Sequence, residues 1–170
     1  MKRKAQAEII GLVIIVIMIT MGMLFMAQFA IKENPEKKIF TRKGLAYSSM
    51  SAIMKTTVWC PEISTSLSIG TELLEDCAKY YNDPDSGFIC EGLHSCDFLK
   101  EKIDLMLTAT LGEWNKDYQL QSNLMIEPVV NLINIDHGGC STSQEKDSSG
   151  LFPIYVRGAG LVQSTIFLCN

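Results

Sequence analysis

Six cysteines, Cys60, Cys77, Cys90, Cys96, Cys140 and Cys169, are the residues of this chain best equipped for covalent chemistry. Thiols can hold a metal, act as nucleophiles or pair as disulfides, and their spacing and neighbours separate these roles. Zinc is the first reading to weigh, because Cys90, His94 and Cys96 lie close together and His137-Gly138-Gly139-Cys140 adds two further ligand types. Structural zinc sites favour paired ligands about two to four residues apart in two clusters. Neither cluster here matches a finger or a ribbon, so no metal and no cofactor is assigned. A hydrolytic set could be drawn from Asp136-His137 with Ser141 or Ser143, but no nucleophile elbow or oxyanion-loop signature accompanies them. Gly158-Ala159-Gly160 lacks the Lys-Ser/Thr that completes a phosphate loop and reads as a turn. No enzymatic activity is expected on these grounds. Disulfides remain: an even number of cysteines in a short domain is the pattern of an oxidising exterior. Six cysteines allow fifteen pairings, so connectivity stays open, with Cys60–Cys77 and Cys90–Cys96 as the sequence-local options.

The elements that must place these cysteines begin with an anchor. From Ile9 to Ile31 the chain runs for 23 residues without a formal charge. As a helix this segment is about 34 Å long, enough to cross a hydrocarbon core with some tilt. A cleaved secretory signal would have a much shorter apolar region ending in an A-x-A-like site, and neither feature is present. Basic residues flank both ends, Lys2, Arg3 and Lys4 before and Lys32, Lys37, Lys38, Arg42 and Lys43 after, so the positive-inside rule alone does not orient the span. The cysteines do, because all six follow it. The N-terminus is therefore expected in the cytoplasm and the downstream domain outside.

Charge is divided along the chain in the same way. Residues 1–43 hold eight Lys/Arg and three Asp/Glu, and the remainder holds seven and sixteen, so a basic anchor region precedes an acidic domain. An acidic domain repels nucleic acid, which excludes a nucleic-acid partner, while the basic part suits membrane lipid headgroups. There is no Asn-x-Ser/Thr sequon.

The residues ahead of the apolar segment, Lys2-Arg3-Lys4-Ala5-Gln6-Ala7-Glu8, form a basic leader, a small residue, a glutamine and a lone carboxylate leading into Ile9-Ile10-Gly11. This order resembles the class III signal peptide of archaeal type IV pilins and pilin-like proteins, over residues 2 to about 30. The resemblance implies cutting by a prepilin peptidase on the cytoplasmic side between Ala5 and Gln6, so that the apolar helix is retained. It also implies a role in filament assembly for Glu8, and a surface filament for cell adhesion built with copies of the chain or other pilin subunits. A cut after Ala5 makes Glu8 the third mature residue, where many pilins carry their glutamate fifth. A carboxylate at the edge of an apolar helix is costly in lipid unless it finds a cation, and a neighbour's new amino terminus in a filament could supply one. Many bacterial pilins also close a carboxy-terminal disulfide loop. By that likeness Cys140 would pair with Cys169, clamping the last hairpin and closing the 136–150 loop. The competing reading is a single-pass, membrane-anchored extracellular binding module that does not polymerise.

Beyond the span, Asn34-Pro35 should break the helix, because proline lacks an amide proton and disfavours helical geometry at the residue before it. Helix formers then resume over 36–57, with Met50, Ile53, Met54 and Val58 on one side. Ile69, Leu73, Leu74, Cys77, Tyr80 and Tyr81 form one helix face, closed by the turn cluster Asn82 to Gly87. Leu99, Ile103, Met106, Leu107, Thr110, Leu111 and Trp114 form the core stripe of a second helix from about Asp97. The period then changes to two, with Tyr118, Leu120, Ser122, Leu124 and Ile126 facing inward. Further strands are expected at 129–135, 151–157 with Pro153 on an edge, and 161–169. The expected architecture is α+β: a transmembrane helix, then two short helices and a disulfide-stapled antiparallel sheet of three to four strands. The parts are a basic leader at 1–5, a transmembrane or filament-core helix at 6–31, a juxtamembrane stalk at 32–58 and an extracellular head at 59–170.

Overall fold

The computed structural model of the chain describes residues 2–31, 35–83, 85–140 and 145–169, with side chains described from Gly11 to Gln28 and from Phe40 onward. Two compact units result, one over residues 1–38 and one over 39–170.

The first unit is built on helix α1, Lys2–Ile31. It contains no proline, and its run of Ile, Leu, Met and Ala closes every interior backbone hydrogen bond within the helix, as a lipid environment requires. Within it Gly11–Gln28 is an 18-residue span of mean hydropathy 2.3, none of it buried. The hydroxyl of Thr20 bonds back to the Ile17 carbonyl at 3.0 Å, so this polar group is satisfied inside the apolar stretch.

Helix α2, Pro35–Lys55, opens on proline, which is tolerated at a first helical position where its missing amide would have no partner. In the second unit its stretch from Phe40 presents Ala46, Met50 and Ile53 to the core, at most 5% exposed. The segment read as a stalk therefore supplies packing to the head. A short hairpin follows, β1 (Thr57–Cys60) with β2 (Thr65–Ser68), and a π-helical turn over Ile69–Leu73 leads into α3 (Leu74–Tyr80). A second ribbon, β3 (Ile89–Cys90) with β4 (Leu93–His94), precedes α4 (Ser95–Leu107). Helix α4 buries Phe98, Leu99, Ile103 and Leu107 on one face.

The main sheet is antiparallel and comprises β5 (Asp117–Leu124), β6 (Val130–His137), β7 (Lys146–Ser148), β8 (Phe152–Val156) and β9 (Gly160–Cys169). Its order is β6-β5-β9-β7, with β8 also paired to β9, so β6 forms one edge and β7 and β8 share the other. Strand β5 buries Tyr118, Leu120, Ser122 and Leu124 in alternation, as its period of two requires. Leu120 lies opposite Ile135 on β6 and Ile166 on β9, and the hydroxyls of Ser122 and Ser164 satisfy each other across the sheet at 2.8 Å. A buried hydroxyl without such a partner would cost about 1–3 kcal/mol.

The α+β architecture agrees with the sequence reading, and three details differ. The sheet has five strands rather than three to four, because β7 forms inside the polar 136–150 segment, where its backbone pairs with Phe167 to Cys169. No periodicity marks a three-residue strand. The α4 stripe stops at Leu111: Thr110 and Trp114 are exposed, the tryptophan at 60%. A π-helical turn over Thr108–Gly112 replaces i→i+4 spacing with i→i+5 and rotates the positions beyond it off the core face. Gly70 comes close enough to α2 that a Cβ there would stand 2.5 Å from the Met54 carbonyl oxygen, a contact the sequence pattern does not disclose.

Candidate functional site

The residues with chemistry fall into two groups, one on each unit. On the first, Ala5, Gln6 and Glu8 lie in the backbone of α1, and their side chains fall outside the described residues. What is described is the span they precede, whose large side chains are all at least 48% exposed, from Val13 up to Met26 at 78%. A helix apolar on every side has no self-contained way to bury itself and needs lipid or other helices around it.

On the second unit all six cysteines are bonded: Cys60 to Cys90, Cys77 to Cys96 and Cys140 to Cys169. The last pair is the carboxy-terminal loop implied by the resemblance. The sequence-local pairs Cys60–Cys77 and Cys90–Cys96 do not form. Glu91 and Gly92, at φ 54° and 75°, reverse the chain between β3 and β4, so Cys90 stays on the ribbon while Cys96 enters the first turn of α4. Cys77, on the buried face of α3, is thereby left to meet Cys96 on the helix packed against it.

The ribbon is held by a carboxylate. Glu62 accepts from the backbone amides of Glu91 at 2.9 Å and Gly92 at 3.0 Å, satisfying both residues of the reversal. The Glu91 amide bond is the chief reason the Glu62 carboxyl lies below the usual range; the backbone amide of Glu62 itself adds to it, desolvation opposes it, and the Gly92 amide adds least. Lys102 pairs with Glu91 at 2.7 Å and sits over the Phe98 ring.

A second fastening lies at the start of the head. Arg42 of α2 places Nε 2.7 Å from the Asp147 carboxylate and a guanidinium nitrogen 3.1 Å from Glu145. Asp147 is 6% exposed on β7, so the pair ties α2 to the strand beside the Cys140–Cys169 bridge. Neither partner is legible as a pair in the sequence, because a contact between residues over a hundred positions apart leaves no local pattern.

The metal and hydrolytic candidates are engaged elsewhere. Cys90 and Cys96 are bonded to Cys60 and Cys77, and the His94 Nδ1 accepts from the Cys96 amide at 3.4 Å as the cap of α4. Among the described residues no group of three or more His, Cys, Asp or Glu is placed to hold a metal ion. Asp136 accepts from the Gly139 amide at 3.1 Å, and the His137 ring stacks on Tyr118 at 5.0 Å; Ser141 and Ser143 lie outside the described residues. Burial is the chief reason the Tyr118 phenol lies above its ordinary value, with the field of Asp104 adding to it and a 3.2 Å hydrogen bond with Thr108 opposing it.

An apolar groove of about 550 Å³ opens between α2 and the turn after α4, lined by Leu45, Ala52, Ile53, Met106, Leu111 and Trp114. Sequence periodicity placed Trp114 in the core, and here it is exposed and lines this groove.

A scan against protein-family models and searches of curated proteins and of solved structures find no significant match. The class defined by the fold is that of an α+β protein in which an N-terminal apolar helix precedes an antiparallel sheet domain with three disulfides. This is the make-up of a secreted or membrane-anchored extracellular protein.

Proposed function

We propose that the chain is a structural subunit of an extracellular type IV pilus-like filament, a pilin or minor pilin assembled through its hydrophobic N-terminal helix. The observation that carries this reading is the Gly11–Gln28 span, charge-free and wholly unburied by its own chain, behind a leader that resembles a class III signal peptide. In this reading α1 rests in membrane lipid with its N-terminus cytoplasmic and the head outside. A prepilin peptidase removes residues 1–5 between Ala5 and Gln6. Copies of the chain or other pilin subunits then take the place of lipid around the helix, and Glu8 meets the amino terminus of a neighbour. Complete pairing of the cysteines suits an exterior location. The head has no catalytic role in this account.

Intact mass of the protein from its own membrane tests the proposal. Loss of residues 1–5, with the protein recovered in sheared filaments, is the expected result; a chain still beginning at Met1 and absent from any filament fraction removes it. The apolar groove beside Trp114 favours a second reading, an anchored binding module that stays monomeric. Glu8→Ala separates the two: loss of assembly with normal membrane insertion belongs to the filament, and no change belongs to the module.

A further inference from the structure

Edge strands in stable domains are ordinarily short, twisted away by bulges, or broken by proline or lysine, because an open edge invites another strand. Strand β8 follows this rule, with Pro153 inside a five-residue strand. Strand β6 does so only in its first half: a bulge at Leu132 shifts its register with β5, but from Ile133 to His137 the register is regular and the residues include no proline and no lysine. They pair on one side with β5, and the backbone of β6 makes no other backbone hydrogen bond among the described residues. A groove of about 440 Å³ runs beside it, walled by Asp97, Lys100, Glu101 and Asp104 of α4 and floored by Asn134, Ile135 and Asp136. Ile135 is buried while Asn134 and Asp136 are exposed on the opposite face of the strand. That residues from both faces line one groove places it along the strand's edge, where unpaired amides and carbonyls are presented.

We infer that this groove is a docking site for an extended protein segment bearing basic side chains, which adds to the sheet as a further strand beside β6. Main-chain hydrogen bonds to the β6 edge supply the binding, and alternate side chains of the segment face the helix wall. The wall selects their charge: four carboxylates, Asp97, Glu101, Asp104 and Asp136, surround the single Lys100. None of these residues belongs to the disulfides or to the anchor, so the site stands apart from the filament reading and does not need it.

The test uses the full chain in detergent micelles and a labelled short peptide of alternating lysine and threonine. Its controls are a peptide with glutamate for lysine and one with two threonines replaced by proline. The lysine peptide should bind and slow amide exchange along Ile133 to His137. The proline peptide, unable to complete the ladder, should bind about tenfold more weakly. The combined Glu101→Gln and Asp104→Asn variant, both on the exposed face of α4, should bind the lysine peptide about fivefold more weakly. Equal binding of the proline peptide, unchanged exchange in β6, undiminished binding by the variant, or no binding of the lysine peptide each overturns the inference.

Discussion

Helices α1 and α4 are both rich in Leu, Ile and Met, yet they treat those residues in opposite ways. Along α1 every described residue from Gly11 to Gln28 is exposed, whereas α4 buries Phe98, Leu99, Ile103 and Leu107 and leaves Leu105 66% exposed on its outer side. The difference lies in the arrangement of apolar residues. In α4 most of them gather on one face, with Asp97, Lys100, Glu101 and Asp104 on the other, so the helix has an inside and an outside. In α1 no polar face exists, and the surroundings rather than the chain must cover it. One helix is stabilised by its own domain and the other by a medium or by copies.

Charges placed in α1 sharpen that contrast most. Arginine at both Val16 and Ile19 should abolish membrane insertion, since each costs about 2.5–3.5 kcal/mol near the centre of a span. Alkaline carbonate extraction would read the loss, and the head should keep its near-ultraviolet circular dichroism because its core is built from residues 46–169. Next in size, Leu99→Ala should destabilise the head by about 2–5 kcal/mol in denaturant unfolding through loss of buried volume. Leu105→Ala, on the outer face, should change it by less than about 0.5 kcal/mol. Equal effects would break the assignment of an inner and an outer face.

Removing the Cys77–Cys96 bridge by serine at both positions should cost about 2–4 kcal/mol of head stability, since its closed loop no longer restrains the unfolded chain. Membrane insertion should be untouched. The smallest effect concerns Glu62. Its carboxyl is held below the usual range by the Glu91 amide above all, so its contribution is fully present above the unfolded-state pKa and is lost as pH falls through the lower folded value. Protection of the Glu91 and Gly92 amides, taken relative to their intrinsic exchange rates, should therefore fall on acidification across that window, and Glu62→Gln should flatten the response.

Much of this organisation was legible locally. The 23-residue uncharged run, the start of a helix at Pro35, the alternation through β5 and the terminal β8–β9 hairpin with Pro153 on an edge each depend on neighbours in sequence, and each is found where the pattern puts it. The misreadings share a different cause. Trp114 left the core because a π-helical turn changed the period, and β7 escaped notice because three polar residues carry no periodicity. Cys60 found Cys90 and Cys77 found Cys96 because a chain reversal at Glu91-Gly92 moved the nearest cysteines apart.

Composition and spacing alone were enough for an apolar helix ahead of an acidic, cysteine-bearing α+β domain, because hydrophobic period and charge are properties of short stretches of chain. Which cysteines pair, that Arg42 reaches Asp147, that Trp114 borders a groove and that β6 ends the sheet with an open edge were decided only by tertiary structure. Each depends on bringing together residues far apart in the chain, and the free energy that does so comes from burial of the common core, which no single segment contains.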